Sequence, residues 1–547
     1  MRRLLSLIAA LLLAGLVLPW AAWPARAWSG PVVVLGPIRT LDPALASRLD
    51  EYRLISALYT PLVRLDPVTL APGPGLALGW EMAEGGLAWT FHLDARACWR
   101  DGQPVGAADM RRGLLRHLLL GSPNAAYLED VLVGARVPAG ALPARLAALD
   151  AAVGLDCPDA HTLVVRLRHS APWLPALLSL APFVPASAAQ LDADLAGRRD
   201  GWSDPTTLDG DGPLLCREHL PRHHYDLVPN PAYRGAHPAR GPLRALIVED
   251  GAAAARLYLA GQADALLALP TDLSADLAAA RVPGLQLATS LATEFLRVRL
   301  VARTRAEDAR TTRALADPRV RLGLARAIDR VALARDLLHG LVVPARSFVP
   351  VGFARFSAYR PPLGTLDFAP VQARADLAAA VAALGALPPL VLLAPAQPAE
   401  RAWAAEFIAD GWRRELGLAV EVRLLLPTEL RTRERAFAFD LSRGYWQADF
   451  PDPTNFLECF RAGAGSNRTG YADAAYAALL DRAGGEDGEA RLATLVAAER
   501  RLLADPPLIP LYHPQCAFVA RPGMEGVQAN DLETVHLDEV GWGTEPR

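Results

Sequence analysis

Carboxylates, aromatic rings and a glycine lie close together between residues 441 and 453. The stretch reads Leu-Ser-Arg-Gly-Tyr-Trp-Gln-Ala-Asp-Phe-Pro-Asp-Pro, so prolines flank Asp452 and separate it from Asp449. Tyrosine and tryptophan offer a broad contact area at low entropic cost, and a rigidly held carboxylate can capture a cation. The pattern fits a strand end that faces a ligand and, equally, a buried strand that runs into a turn.

Histidines and known catalytic motifs are the other features that could indicate metal binding or catalysis. His223 and His224 are adjacent and follow Pro221. Adjacent strand residues point to opposite faces, so we expect the two rings to diverge at a solvated hairpin tip rather than to share a metal. The sequence contains no G-x-S-x-G, H-E-x-x-H, P-loop or G-x-G-x-x-G motif. It therefore predicts no catalytic residues, no metal site and no cofactor.

The elements that must position these residues alternate between strands and helices. Apolar runs predict strands, and segments rich in Ala, Leu and Arg predict helices, which together indicate an α/β fold. Strands are predicted at Val32–Leu35, Trp89–Leu93, Thr162–Leu167, Leu243–Val248, Leu390–Leu393 and Val420–Leu425. Helices are predicted at Leu49–Leu58, Ala107–Leu119, Ala252–Ala260, Val320–Leu338 and Ala399–Glu415.

Length and composition exclude several classes of protein. The chain has 547 residues, 52% apolar residues and a formal net charge of -3, and all of its basic residues are arginines. Balanced charge argues against a nucleic-acid partner, and the apolar content argues against disorder. One apolar run, Leu4 to Leu18, follows Arg2 and Arg3 and precedes Ala25-Arg26-Ala27. This predicts a cleavable signal peptide over residues 1–27, although an uncleaved anchor is the alternative.

The five cysteines give no disulfide framework. Cys98, Cys157, Cys216, Cys459 and Cys516 are odd in number and widely spaced. One bridge could form in an oxidising compartment, with Cys98 and Cys157 as the pair to test. Buried free thiols are the slightly better interpretation.

Several stretches, in order along the chain, resemble family 5 of the bacterial extracellular solute-binding proteins. The most diagnostic block combines Trp89–Leu93, Trp99–Val105 and Ala107–Asp109, which is similar to the family's "tftLR…w~DG~pvtAeDv". Further matches are Thr40–Pro43, Leu58–Val63, Gly210–Pro213, Pro229–Tyr233, Gly261–Asp264, Asp317–Arg330, Trp446–Phe456 and Pro510–Tyr512 with Gly526–Val527. Departures are Leu214 in place of a usual Tyr and Arg299 in place of a frequent Asn.

The resemblance implies a two-lobed periplasmic-binding-protein fold (type II, Venus-flytrap), α/β in class, with an extra subdomain inserted in the first lobe. We expect the core of lobe I at residues 28–66, 200–290 and 511–547, the inserted subdomain at 67–199, and lobe II at 291–510. The ligand is expected in the cleft between the lobes, which closes by a hinge motion.

The resemblance also implies a function. It predicts a soluble, monomeric periplasmic protein that binds short peptides and delivers them to an ABC import permease. Asp449 matches the family's carboxylate that pairs with the α-ammonium of the ligand, and Gly444, Tyr445, Trp446 and Gln447 are expected to form the strand that pairs with the peptide backbone. Arg401 lies close to where dipeptide binders carry a cation for the ligand's carboxylate, but a surface helix arginine is the alternative.

Three other functions remain open at this point. The same fold could bind a nickel chelate, haem, glutathione or a sugar. Asp449 and Asp452 could act as paired carboxylates of a secreted hydrolase, although no other sequence feature supports turnover. The chain could also be an interaction or regulatory protein that has lost transport.

Overall fold

The computed structural model describes residues 30–543, except residues 199–201, 203, 268, 270, 303–305 and 356. The predicted signal peptide, residues 1–27, lies outside the described residues. Among the described helices, none combines the length and the apolar composition that a membrane crossing requires.

Twenty strands occur in the described part of the chain. They are β1 Val32–Leu35, β2 Val63–Leu65, β3 Pro72–Pro74, β4 Ala77–Ala83, β5 Ala88–Leu93, β6 Leu155–Asp159, β7 Thr162–Arg166, β8 Leu214–Leu220, β9 His224–Pro229, β10 Leu243–Ile247, β11 Ala265–Leu266, β12 Leu285–Thr289, β13 Ala292–Val298, β14 Val342–Pro344, β15 Leu390–Pro395, β16 Val420–Leu425, β17 Leu441–Gln447, β18 Leu508–Ala520, β19 Met524–Glu525 and β20 Gly541–Trp542.

Seventeen α-helices occur in the same described ranges. They are α1 Leu49–Leu58, α2 Ala107–Leu120, α3 Ala125–Val131, α4 Leu142–Ala152, α5 Leu174–Leu177, α6 Ala188–Leu195, α7 Gly251–Leu259, α8 Thr271–Ala279, α9 Ala306–Ala316, α10 Pro318–Arg326, α11 Arg330–Ala332, α12 Pro370–Leu384, α13 Ala399–Leu416, α14 Pro427–Arg435, α15 Thr454–Leu457, α16 Ala474–Gly484 and α17 Gly488–Ala504. The mixture confirms the α/β class.

One twelve-stranded sheet runs through the molecule in the order β16-β15-β17-β13-β18-β11-β1-β10-β9-β8, and β12 and β14 also pair with β18. β15 is parallel to β16 and β17, and β1 is parallel to β10 and β11. β13 is antiparallel to both of its neighbours. Parallel strands buried on both faces are apolar throughout, which explains the all-apolar sequence of β1.

The long strand β18 connects two halves of this sheet. Its first part pairs with β13 and β14, and its last part pairs with β12 and β11. We call the β1, β8–β12 half lobe I and the β13–β17 half lobe II. β12 and β13 are separated by Ser290 and Leu291, so the chain crosses between the lobes there and within β18. The domain boundaries expected from the sequence remain a prediction.

A separate four-stranded sheet, β4-β5-β7-β6, lies in the expected inserted subdomain. Helices α2 and α4 pack against each other there, and α2 also contacts β6 and β7. A large buried cluster, which includes Phe91, Leu114 and Phe183, joins this subdomain to the lobe I sheet. Two further buried clusters lie mainly in lobe II, and one of them also includes Leu65, Leu70 and Leu532.

The prediction of one long helix from Val320 to Leu338 is wrong. α10 ends at Arg326, and a new helix begins at Arg330 and continues as a π-helical turn over Leu333–Leu337. The carboxylate of Asp329 accepts a hydrogen bond from the amide of Ala332 at 2.9 Å, so it caps the second helix. Aspartate is a favoured N-cap residue, and its side chain competes with helix continuation.

The His223–His224 segment does form a hairpin tip between β8 and β9, but the expected divergence of the rings is wrong. The two Nδ1 atoms are 2.7 Å apart. β9 begins at His224, so His223 belongs to the turn and the alternation of a strand does not apply to it. All five cysteines are free thiols, and Cys98 and Cys157 are half-buried rather than buried.

Candidate functional site

A cavity of about 220 Å³ lies where lobe I, the inserted subdomain and lobe II meet. Lobe I contributes α1, β2 and the segment after Leu532, the insert contributes the segment after α5, and lobe II contributes the end of β17. The lining residues are Ser47, Leu49, Tyr52, Arg53, Ser56, Pro61, Arg64, Leu65, Ser179, Leu180, Ala181, Gln447, Ala448, Asp449, Leu532, Thr534, Val535 and His536.

The two arginines that line the cavity are already paired with acids. Arg53 is 2.5 Å from Asp50 and is 2% exposed. Arg64 is 2.9 Å from Asp538 and 2.6 Å from Glu539. These short contacts neutralise both guanidinium groups. The cavity therefore has no net positive charge from its arginines.

His536 also lines the cavity without contributing charge. Its Nε2 is 2.9 Å from the carbonyl oxygen of Leu65. Burial lowers the pKa of His536 to about 3, and the nearby Arg64 guanidinium acts in the same direction. The ring is therefore neutral at physiological pH, and Nε2 donates to the carbonyl.

Asp449 is the acid of the cavity that lacks a cation. Tyr127 of α3 donates its hydroxyl to Asp449 Oδ2, which joins the inserted subdomain to lobe II. Among the described residues, Asp449 has no ion-pair partner. Burial raises the pKa of its carboxyl, and the hydrogen bond from Tyr127 partly offsets that effect. A half-buried carboxylate without a counter-ion attracts a cationic group of a ligand.

An aromatic contact holds the segment next to Asp449. The ring of Phe450 stacks on Trp173 at 5.1 Å and 15°, and its edge meets Tyr127 at 6.0 Å and 77°. Trp173 and Tyr127 both belong to the inserted subdomain. The ring pairs fix the position of the strand end, because offset-stacked and edge-to-face pairs are favoured geometries.

The strand that leads to Asp449 has one open edge. β13 pairs with the whole of β17, from Ala292 with Gln447 to Val298 with Leu441. On the other side, β15 pairs with Leu441 and Ser442 alone. In the described part of the chain, no strand covers residues 443–447 on that side. An open edge offers backbone donors and acceptors to an extended ligand.

The side chains of β17 alternate between two faces. Tyr445 and Gln447 share one face, where the Tyr445 hydroxyl donates to Gln447 Oε1 at 2.8 Å. Trp446 lies on the other face and donates its indole N–H to Asn455 at 3.0 Å. Gly444 is also on that face, and a Cβ there would lie 2.7 Å from the ring of Phe295. A glycine is therefore required for the packing of the strand.

Arg401 does not present a free positive charge. Its guanidinium lies 2.7 Å from Glu294 and 5.1 Å from the centre of the Tyr445 ring. The same carboxylate accepts from Arg443 at 2.8 Å, and Arg443 also donates to Tyr512 at 3.1 Å. Two guanidinium groups thus share one carboxylate, which leaves one net positive charge in this cluster.

Of the six ligand-binding residues predicted from the sequence, the cavity brings together Asp449 and Gln447. Gly444, Tyr445 and Trp446 lie in β17, and Arg401 packs against Tyr445 without lining the cavity. None of the six assignments has been tested against a bound ligand, so they remain predictions.

Asp452 has a different role from Asp449. Its two oxygens accept from Arg491 at 2.8 and 2.9 Å, and Oδ1 also accepts from the amide of Thr454 at 2.9 Å. These bonds hold the Pro-Asp-Pro turn and the start of α15. Asp452 is therefore engaged structurally and is not positioned as the second carboxylate of a hydrolytic pair.

Sequence reasoning missed the lobe I and insert side of the cavity. Tyr127 follows Asn124 in a segment without a ligand-binding pattern, and Arg53 and Tyr52 lie within an ordinary amphipathic helix. Tyr52 accepts from the side-chain amide of Asn124 at 3.2 Å. Asn124 of the insert thus contacts Tyr52 of lobe I, a proximity that depends on tertiary packing.

Residues 71–468 match the family model described as "Bacterial extracellular solute-binding proteins, family 5 Middle". The periplasmic murein peptide-binding protein MppA of Escherichia coli (strain K12) is 27% identical over 514 residues, which cover 91% of this chain and 89% of MppA. The probable deoxycholate-binding periplasmic protein YgiS of the same strain is 27% identical over 502 residues, which cover 89% of this chain and 88% of YgiS.

A solved structure has the same architecture. The Escherichia coli murein tripeptide-binding protein MppA superposes with a TM-score of 0.73 at 25% identity, over 94% of this chain and 98% of the solved chain. The similarity extends through both lobes and the inserted subdomain.

Proposed function

The chain belongs to family 5 of the bacterial extracellular solute-binding proteins, and from this premise we propose that it captures short peptides in the cleft between its lobes and delivers them to an ABC import permease. It has the two-lobed type II binding-protein fold of that family. Its place of action in this proposal is the periplasm, after export with removal of residues 1–27, and it acts as a soluble monomer.

The uncompensated carboxylate of Asp449 is the observation that carries the proposal. It lines the cavity, accepts from Tyr127 and lacks an ion-pair partner among the described residues, whereas both lining arginines are neutralised. The α-ammonium of a peptide supplies the missing charge. A charge-assisted hydrogen bond in a partly dry site is stronger than one in water.

The open edge of β17 supports recognition of an extended peptide. Residues 443–447 are paired with β13 on one side and are without a described strand on the other. A peptide that adds to this edge is bound through its backbone, which is the same for every sequence. We therefore propose Gly444 to Gln447 as the pairing strand, with broad tolerance for the peptide's side chains.

Closure follows from the two connections between the lobes. We propose that Ser290–Leu291 and the middle of β18 act as the hinge, with lobe I at 28–66, 200–290 and 511–547, the insert at 67–199 and lobe II at 291–510. A peptide that contacts Asp449 in lobe II and α1 in lobe I stabilises the closed form by its differential contacts.

We assign the peptide's carboxylate to the positively charged cluster that contains Arg401. Arg401 and Arg443 share Glu294, so the cluster keeps one net positive charge. Arg401 is 29% exposed at its side chain, and Arg443 is buried. We propose that Arg401 attracts the ligand's carboxylate weakly, because Glu294 already satisfies part of its hydrogen-bonding capacity.

Binding without turnover is part of the proposal. Asp452 is held by Arg491, so it is not free to act as a second carboxylate beside Asp449. The proposal therefore expects the bound peptide to leave chemically unchanged, with no cofactor involved.

Calorimetry and native mass spectrometry test this function together. The purified protein is titrated with unmodified peptides of two to five residues, and separately with haem, a nickel chelate, glutathione, a sugar and deoxycholate. Peptide binding of about 8 kcal/mol, a micromolar dissociation constant, with full recovery of intact peptide supports the proposal. Binding of a non-peptide solute alone, or cleavage of the peptide, contradicts it.

A further inference from the structure

A cluster of side chains on the β8–β9 hairpin has the composition of a metal site. Glu218 lies on β8, and His224 and Asp226 lie two residues apart on β9. Glu218 and Asp226 are direct partners in the register, so all three side chains share one face of the hairpin. His224 Nε2 is 3.9 Å from Glu218 Oε1 and 3.9 Å from Asp226 Oδ1.

The imidazole in this cluster is buried and lacks a hydrogen-bond partner on the side that faces the acids. His224 is 6% exposed, and its Nε2 has no partner among the described residues. On the other side, its Nδ1 is 2.7 Å from Nδ1 of His223, so one of these two nitrogens donates to the other. When His224 donates, its Nε2 directs a lone pair toward two carboxylates. A cation between them relieves this repulsion.

We propose that Glu218, His224 and Asp226 bind a divalent transition-metal ion, with Zn²⁺ as the best match to one imidazole and two carboxylates. Tetrahedral zinc bonds of about 2.0–2.2 Å hold the donor atoms about 3.4 Å apart. The side chain of Glu218 is 62% exposed on the last strand of the sheet and is free to rotate toward His224. The buried His224 and Asp226, 3.9 Å apart, must approach by about half an ångström when the ion binds. The remaining coordination position is open to water.

Two arginines moderate the affinity of this site. Arg244 donates to both oxygens of Asp226 at 2.6 and 2.7 Å, and Arg217 lies 3.5 Å from Asp226 Oδ2. A carboxylate oxygen has two lone pairs, so Oδ1 can accept from Arg244 and still bind a metal. Both positive charges repel the ion, and removal of the exposed Arg217 charge should therefore strengthen binding.

The site is separate from the cleft. None of the three residues lines the cavity that contains Asp449. β8 and β9 end the strand order on the lobe I side, and the ion joins them at the outer edge of the sheet. Metal binding and peptide binding can therefore be measured independently, and failure of the zinc proposal is distinguishable from failure of the peptide proposal.

Calorimetric titration of the full chain with ZnCl₂, free of peptide, tests the site. We expect one equivalent to bind, and we expect His224→Gln and Glu218→Gln to weaken binding on the order of 10–100-fold or more. Arg217→Gln should bind more tightly than the wild type. The matched control is His92→Gln, which removes an exposed histidine 3.5 Å from Glu81 in another sheet and should leave binding unchanged.

Titration with Co²⁺ supplies a second readout. Co²⁺ in a tetrahedral protein site absorbs visible light strongly, whereas a loosely held hydrated ion on the surface absorbs only weakly. Absence of zinc binding by the wild type overturns the proposal. So does binding that survives in both His224→Gln and Glu218→Gln, or that is lost in His92→Gln. Should His224→Gln fail to fold by circular dichroism, the exposed Glu218→Gln decides the outcome.

Discussion

Asp449 and Glu294 are both acids of lobe II, one just after β17 and the other within its partner β13, but their surroundings differ. Glu294 is 3% exposed and lies between Arg401 and Arg443, at 2.7 and 2.8 Å. Asp449 accepts from the neutral hydroxyl of Tyr127 and borders the cavity. Burial of a charge is tolerated when it is paired, whereas the unpaired carboxyl of Asp449 has its pKa raised by burial.

The charge of Glu294 is paired within the protein, whereas Asp449 is the acid that we propose binds the ligand. Glu294 joins β13, β17 and α13, so its loss should reduce stability. Asp449 joins lobe II to the insert through one hydrogen bond, so its loss should reduce ligand affinity. Unfolding free energy should therefore respond mainly to the loss of Glu294, and peptide affinity mainly to the loss of Asp449.

The largest expected effect is on the structural side. Glu294→Gln removes the carboxylate from two guanidinium groups and leaves Arg443 buried with the Tyr512 hydroxyl as its described partner. Breaking a buried pair in this way costs about 3–5 kcal/mol of unfolding free energy. Urea denaturation measures it.

The control for this variant is Glu415→Gln, whose partners Arg374, at 3.1 Å, and Arg414, at 3.0 Å, are both exposed. Exposed pairs contribute little, so the control should unfold almost as the wild type does. If Glu294→Gln is as stable as the wild type, Glu294 is not the structural acid that we describe.

The next effect is on affinity. Asp449→Asn keeps the shape and the hydrogen bond with Tyr127 but removes the negative charge. Peptide binding should weaken by about 2–5 kcal/mol, because one member of a desolvated charge pair is lost. Calorimetry measures the affinity, and thermal unfolding of the ligand-free variant should show a stability at least equal to that of the wild type.

A further prediction concerns pH and sharpens the same contrast. Burial raises the pKa of Asp449, so the folded protein holds this proton more tightly than the unfolded chain does. The stability from that proton is fully present below the ordinary carboxyl pKa of about 4 and is lost as the pH rises through the raised pKa. Peptide affinity should instead increase as the pH rises through this pKa, because the peptide's ammonium pairs with the ionised carboxylate of Asp449.

Dissociation constants and melting temperatures across a series of pH values test this prediction. The difference between the wild type and Asp449→Asn isolates the group, because both share other carboxyls whose pKa burial raises, such as Glu499 and Asp211. Parallel pH profiles in the two proteins would show that Asp449 is not the titrating group.

The smallest effect is expected at Arg401. Its charge is shared with Glu294 and its side chain is 29% exposed. Arg401→Gln should weaken peptide binding by less than about 1 kcal/mol, as for other partly exposed pairs. Arg401 would instead be a principal anchor if Arg401→Gln lost as much binding free energy as Asp449→Asn does. That loss should then be absent when the peptide is amidated at its C-terminus.

The sequence predicted local elements well, whereas the role of Asp449 comes from the resemblance and stays a prediction. β1, α1 and β16 have the expected bounds because their apolar patterns and turns are local. The break after Arg326 had a local signal in Asp329, which is typical of an N-cap, but the amphipathic pattern on both sides concealed it.

Pairings between distant residues could not be predicted in this way. Glu294 and Arg401 are 107 positions apart, and their contact depends on the register of β13 and on how α13 packs. Tyr127 and Asp449 are separated by 322 positions and belong to different parts of the fold. Charge pairing in three dimensions, and not residue type, decides that Asp449 is available and Arg401 largely is not.

A thermodynamic cycle tests the central claim most directly. One peptide is measured with a free and with an acetylated amino terminus, each against the wild type and Asp449→Asn. We predict that acetylation weakens binding to the wild type by about 2–5 kcal/mol and has almost no effect on the variant, which gives a coupling energy of about 2–5 kcal/mol. An equal effect of acetylation on both proteins would contradict the assignment of Asp449 as the site of the ammonium.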